Sequence, residues 1–153
     1  MEIRHILAPV DFSDYSKKAV EMALTLAKAF GAKLSLLHVV EPPPYPMDGY
    51  APSSATADLL TDLEEQASQE LAQWLPEVQA AGVPVTRYVV IGSPYRKIIE
   101  TAEAEQADLI VMATAGRTGF SRLVMGSVAE RVVRTSPCPV LTIRPQEEAS
   151  EQG

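Results

Sequence analysis

The chain has 153 residues, 46% of them hydrophobic and 22% charged, with a single cysteine. One compact domain fits that length, with a core large enough to need no disulfide or metal staple. A lone thiol excludes an internal disulfide and a multi-cysteine zinc site. Thirteen Lys and Arg against twenty Asp and Glu give a net charge of −7, which argues against bulk electrostatic binding to nucleic acid or an anionic membrane. No run of about 18 apolar residues occurs, and the first residues lack a basic-then-apolar signal pattern. The expectation is a soluble cytoplasmic protein with no membrane insertion.

Ile3–Pro9 is short and apolar and reads as a strand. Ser13 then caps a helix whose Ala19, Val20, Ala23, Leu24 and Ala27 share one face, and Gly31 suits its left-handed C-terminal end. Leu34–Val40 is a buried strand. Glu41–Ala55 follows with prolines at 42, 43, 44, 46 and 52; a connection this long is either a mobile surface loop or a lid. Leu63, Ala67, Leu71, Trp74, Leu75 and Val78 form the stripe of a long helix ended by Gly82. Pro84–Ile91 is a strand, and Gly92-Ser93-Pro94 opens the next helix, with Ser as cap and Pro in the first turn. Asp108–Met112 is a strand, Ser127–Arg134 a helix and Pro139–Ile143 a last strand. Strands alternating with helices imply a mainly parallel, open α/β sheet covered on both faces. The expected domain is 1–145, with the acidic 146–153 as a frayed tail.

Residues 113–127, ATAGRTGFSRLVMGS, join the fourth strand to the last helix. Gly116, Gly119 and Gly126 permit close backbone approach. Ser127 and Glu130 have capping-box spacing, so a helix N-terminus with free N–H groups faces this loop. Leu109 to Ala129 contains Arg117 and Arg122 and no acid, a local +2 that suits phosphate oxygens. The loop is thus either a well-capped turn or a phosphate cradle. Its position favours the cradle, because ligands of open α/β sheets sit outside the carboxyl ends of the strands. Pro9-Val10-Asp11 lies at such an end too.

These residues resemble the universal stress protein family, of the UspA-like ATP-binding type, over Ile3 to Arg144. ILAPVDFSDYSKKAV is similar to its first strand and loop, LLHVVE to its second strand, and SVAERVV with SPCPVLTIR to its last helix and strand. The most specific element is the motif G-x2-G-x9-G-[S/T], matched by Gly116, the nine residues Arg117–Met125 and Gly126-Ser127. Its first glycine is Ala113 here. The resemblance implies a Rossmann-like five-stranded sheet of order 3-2-1-4-5 and an ATP site. Asp11 would hold the ribose and Val39 would offer backbone atoms to adenine. Pro9, Val10 and Met112 would line the base pocket, beside Ala113. Gly116, Gly126, Ser127 and Val128 would donate to the phosphates, with Ala129 next in the helix and any Mg2+ held through the phosphates. Arg117 joins this set on charge grounds. The family also implies a homodimer through Pro139–Ile143, an apolar strand at a sheet edge.

Other residues read as structural. His5 and His38 lack a third ligand and suit satisfied strand histidines. Cys138 has no activating base, and Trp74 belongs to the core. The P-loop pattern G-x4-G-K-[S/T], the G-x-S-x-G elbow and His-x-Gly-His are all absent. Asp11 is the only carboxylate placed near the pocket, and no general base is assignable for attack on a γ-phosphate. The expected function is regulatory nucleotide binding; a nucleotide-free dimeric interaction module and a weak ATPase are the alternatives.

Overall fold

The computed structural model describes residues 1–42, 54–74, 81–115 and 125–144. Much of the proline-rich connection, Leu75 and Val78, the loop with Gly116, Arg117, Gly119 and Arg122, and the 146–153 tail lie outside them. The elements are β1 (His5–Pro9), α1 (Asp14–Phe30), β2 (Lys33–Val40), α2 (Ser54–Gln73), β3 (Val85–Ile91), α3 (Pro94–Ala104), β4 (Leu109–Ala113), α4 (Ser127–Thr135) and β5 (Val140–Ile143). All strand pairs are parallel, in the order β3-β2-β1-β4-β5.

The alternation of side chains along each strand divides the core in two. Ile6, Ala8, Leu34, Leu36 and Val111 point to one face and pack with Ala19, Ala23 and Ala27 of α1 and Leu71 of α2. Leu7, Leu37, Ile110 and Met112 point to the other and pack with Ile98 and Ala102 of α3 and Ala129 and Val132 of α4. Helices therefore cover both faces, and β2, β1 and β4 read as near-continuous apolar runs because both their faces are buried.

Polar contacts pin the bottom of the sheet. The Asp108 carboxylate accepts from the backbone N–H groups of Arg4 (2.8 Å) and His5 (3.0 Å), tying the start of β1 to the start of β4. His5, only 3% exposed, lies between the Glu105 carbonyl (3.0 Å from Nδ1) and the Ser35 hydroxyl (2.6 Å from Nε2). A carbonyl only accepts, so Nδ1 carries the proton and Ser35 donates to Nε2. This is the satisfied strand histidine expected from the sequence.

The caps match the expectations in part. Ser13 accepts from the Ser16 N–H at 3.1 Å, and Gly31 ends α1 at φ +64°. Pro94 opens α3, but Ser93 makes no side-chain cap. At α4 the capping box is not formed. Gly126 occupies the cap position, Ser127 is the first helical residue, and Glu130 pairs instead with Arg134 at 2.7 Å. The chain thus enters α4 on Gly126, one residue before the Ser127 cap that the sequence spacing predicts.

Candidate functional site

The carboxyl ends of β1, β2 and β4 open into one cavity of about 600 Å³. It lies between α2 on one side and the start of α4 on the other. The strand ends contribute Pro9, Val10 and Asp11 from β1, Val39, Val40 and Glu41 from β2, and Met112, Ala113, Thr114 and Ala115 from β4. Helix α4 contributes Gly126, Ser127, Val128 and Ala129. Ten of the twelve positions singled out in the sequence therefore surround one space; the other two, Gly116 and Arg117, lie outside the described residues.

The loop after β1 holds Asp11 by local bonds. Its carboxylate accepts from the Ser13 N–H at 2.9 Å and from the Ser13 hydroxyl, an Asx-type turn. The same hydroxyl caps α1, so one serine ties the aspartate to the helix behind it. Phe12, between them, adopts φ +65°, a left-handed conformation unusual for a bulky residue. Its ring lies 4.4 Å from that of His38 and 5.9 Å, edge-on, from that of Trp74. His38 Nδ1 in turn donates to the Val10 carbonyl at 2.6 Å. An aromatic strut thus joins the β1 loop, β2 and the end of α2 under the cavity. Trp74 packs against the core as expected, but it also braces this loop.

Gly126 has a different role from the one the motif suggests. Its N–H donates inward to the Thr114 carbonyl at 2.6 Å, so it is not a donor facing the cavity. A Cβ on Gly126 would stand 3.1 Å from that same carbonyl oxygen. The glycine lets the start of α4 close on the end of β4. The donors that remain are the N–H groups of Ser127, Val128 and Ala129, which begin the helix and have no carbonyl one turn back within it. Glu130 N–H is the first to close the helical pattern, on Gly126 O at 2.9 Å. Three such groups and the positive end of the helix dipole suit an anion.

Ala113 departs from the motif without strain. Among the described residues other than glycine, only Phe12 and Gln106 have positive φ, so Ala113 ends β4 with ordinary extended backbone and pairs with Ile143. Its methyl group packs against the core on the α1 side.

The structure adds residues that sequence reading missed. Leu63, Gln66, Ala67 and Glu70 of α2 all line the cavity. Their spacing is that of one helix face, and Leu63 and Ala67, which the sequence pattern assigns to the core stripe, also border the cavity. Glu41 and Glu70 join Asp11, so three carboxylates, not one, face this space. Ser16, Pro94 and Ile98 complete other parts of the wall. Among the described residues no group of His, Cys, Asp and Glu is placed to hold a metal ion, and no helix is long and apolar enough to cross a membrane. Cys138 is half-buried beside the Ser136 hydroxyl, and burial pushes its thiol up from its ordinary range.

An open, parallel α/β sheet with its crevice at the strand carboxyl ends and a helix N-terminus in that crevice defines the doubly wound class of ligand-binding folds. Comparison with known proteins places the chain within it: the model of the universal stress protein family matches residues 2–144, and the chain belongs to that family. It is 35% identical over 142 residues to a universal stress protein of Methanocaldococcus jannaschii, covering 92% of this chain and 82% of that one. The universal stress protein UspA from Lactobacillus plantarum superposes with a TM-score of 0.84 at 28% identity, covering 94% and 99% of the two chains. A universal stress protein solved in complex with cAMP superposes at 0.67 with 26% identity, covering 94% and 98%.

Proposed function

We propose that this protein binds an adenine nucleotide, ATP in the first instance, and serves as a regulatory protein of the stress response. The observation that carries the reading is the cavity between Asp11 and the start of α4, whose walls contain every described position that the family motif singles out. The relative solved with cAMP supports an adenine nucleotide as the ligand class. In this reading the base lies against Val39, Met112 and Val10. The ribose lies by Asp11, and the phosphates meet the N–H groups of Ser127, Val128 and Ala129, with Mg2+ carried on the phosphates. The family motif adds Gly116 to the phosphate side, and Arg117 joins it on charge grounds. Binding would favour one state of the protein, which requires higher affinity for that state. The protein acts in the cytoplasm as a homodimer joined along β5, without nucleic acid.

Calorimetric titration with ATP tests this. Wild type gives saturable heat. Gly126→Val, which forces the start of α4 away from Thr114, abolishes it while circular dichroism shows an intact fold. Equal heats from the two proteins would reject the site.

A further inference from the structure

Two acceptors stand at the start of α1, the Ser13 hydroxyl and the Asp11 carboxylate, and one of them must serve the helix. The first N–H groups of a helix have no carbonyl one turn back, and with the helix dipole they draw a nearby carboxylate. Here the hydroxyl takes that place. Ser13 Oγ accepts from the Ser16 N–H at 3.1 Å, so serine and not aspartate caps α1. The hydroxyl proton goes to Asp11 Oδ1, and the Ser13 N–H donates to the same oxygen at 2.9 Å. Two donors on one oxygen fix how the carboxylate is turned. The loop backbone is tied as well. The Asp11 N–H donates to Ser16 Oγ at 3.4 Å, and that hydroxyl, on a residue only 4% exposed, donates to the Ser13 carbonyl at 3.1 Å.

We infer that Ser13 is a positioning residue of the nucleotide site: by capping α1 with its own oxygen and giving its proton to Asp11, it keeps that carboxylate at the ribose and away from the helix. This rests on the adenine-nucleotide reading, in which Asp11 meets the ribose, and deepens it. Asp11 lines the cavity, and Ser13 itself does not, so the effect of Ser13 passes through Asp11. A carboxylate accepts from ribose hydroxyls only while it is turned toward them. Without the Ser13 hydroxyl, Asp11 loses one of its two donors from residue 13. The Ser16 N–H loses its acceptor at the same time. The carboxylate then swings toward the helix start and takes over the cap. Recognition of the ribose falls, while the contacts of base and phosphates with Val39, Met112 and the start of α4 stay in place.

The test is displacement of radiolabelled ATP by unlabelled ATP and by 2′,3′-dideoxyadenosine triphosphate, which lacks both ribose hydroxyls and keeps the base and the triphosphate. Three proteins are compared: wild type, Ser13→Gly and Ser13→Thr. Glycine caps helices nearly as well as serine, so Ser13→Gly should fold with Tm lowered by no more than about 4 °C. Wild type should favour ATP over the dideoxy nucleotide at least about tenfold, the worth of a hydrogen bond to a charged group. In Ser13→Gly that ratio should fall at least threefold. Ser13→Thr, which keeps a hydroxyl at the same place, should hold it within twofold of wild type. A helix cap with no part in positioning Asp11 would weaken both nucleotides alike, so an unchanged ratio in Ser13→Gly would overturn the inference and leave the nucleotide site standing. So would a threonine variant that behaves like the glycine variant, or a wild type that binds the two nucleotides equally. Failure of wild type to retain labelled ATP at all would instead remove the nucleotide reading, and this inference with it.

Discussion

Phe12 gives the sharpest check on how the site loop is held. At φ +65° an L-residue costs about 1–2 kcal/mol relative to right-handed backbone. The ring offsets that cost through its contacts with His38 and Trp74. Removing a fully buried Phe ring costs about 3–5 kcal/mol; Phe12 is half-buried, so Phe12→Ala should cost about 2–3 kcal/mol. Alanine keeps the backbone strain. Phe12→Gly loses the same ring but releases the strain, so it should be more stable than Phe12→Ala by about 0.5–1 kcal/mol. At an ordinary position the order is reversed, with glycine worse than alanine by about 0.5–1 kcal/mol. For a chain of this size about 1 kcal/mol moves Tm by roughly 2–4 °C, so circular dichroism melts resolve the pair. The single Trp, Trp74, reports the same loss as a change in fluorescence on either substitution. A glycine variant less stable than the alanine variant would refute the strained loop that carries Asp11.

Three further outcomes are expected. Ala113→Gly should lower stability by about 0.5–1 kcal/mol and change ATP affinity less than threefold, because the strand backbone there needs no glycine; a tenfold gain in affinity would contradict this. Burial raises the Cys138 thiol above its ordinary 9.0, so its alkylation by iodoacetamide should have a midpoint above that pH. The native state holds that proton more tightly than the unfolded chain. The corresponding stability is therefore full below the unfolded thiol pKa and is lost as pH rises through the folded value; a midpoint below 9.0 would overturn the assignment. Light scattering should give twice the 16.6 kDa chain mass, and Leu141→Lys on the exposed edge of β5 should halve it. A wild-type monomer at micromolar concentration would defeat the β5 interface.

The sequence made the order of strands and helices readable because β2 and β4 are buried on both faces and appear as unbroken apolar runs. Boundaries moved by one or two residues, as at His5, at Thr135 and at Ser54, where α2 begins inside the connection expected to run from Glu41 to Ala55. Sheet order came from family resemblance, since periodicity says nothing about which strands are neighbours. The strand-end side of the site was legible for a similar reason: strand ends carry short, specific patterns such as Pro9-Val10-Asp11. The α2 side was not. Gln66 and Glu70 look like any solvated helix face until tertiary packing turns that face over the crevice. The left-handed Phe12 was also invisible, because no residue type there announces positive φ; the ring contacts that stabilise it come from His38 and Trp74, far along the chain. Gly126 was recognised as special but for the wrong reason. Its lack of a side chain serves the approach to Thr114, and its N–H is spent there.

The most direct measurement is a map of backbone amide shifts in a 15N-labelled sample titrated with ATP and Mg2+. Large, saturable changes should fall on Ser127, Val128 and Ala129, and on Asp11 and Val39 across the crevice, with β3 and the outer face of α1 unmoved. Changes confined to surfaces away from the strand carboxyl ends, or none at millimolar ATP, would contradict nucleotide binding in this cavity.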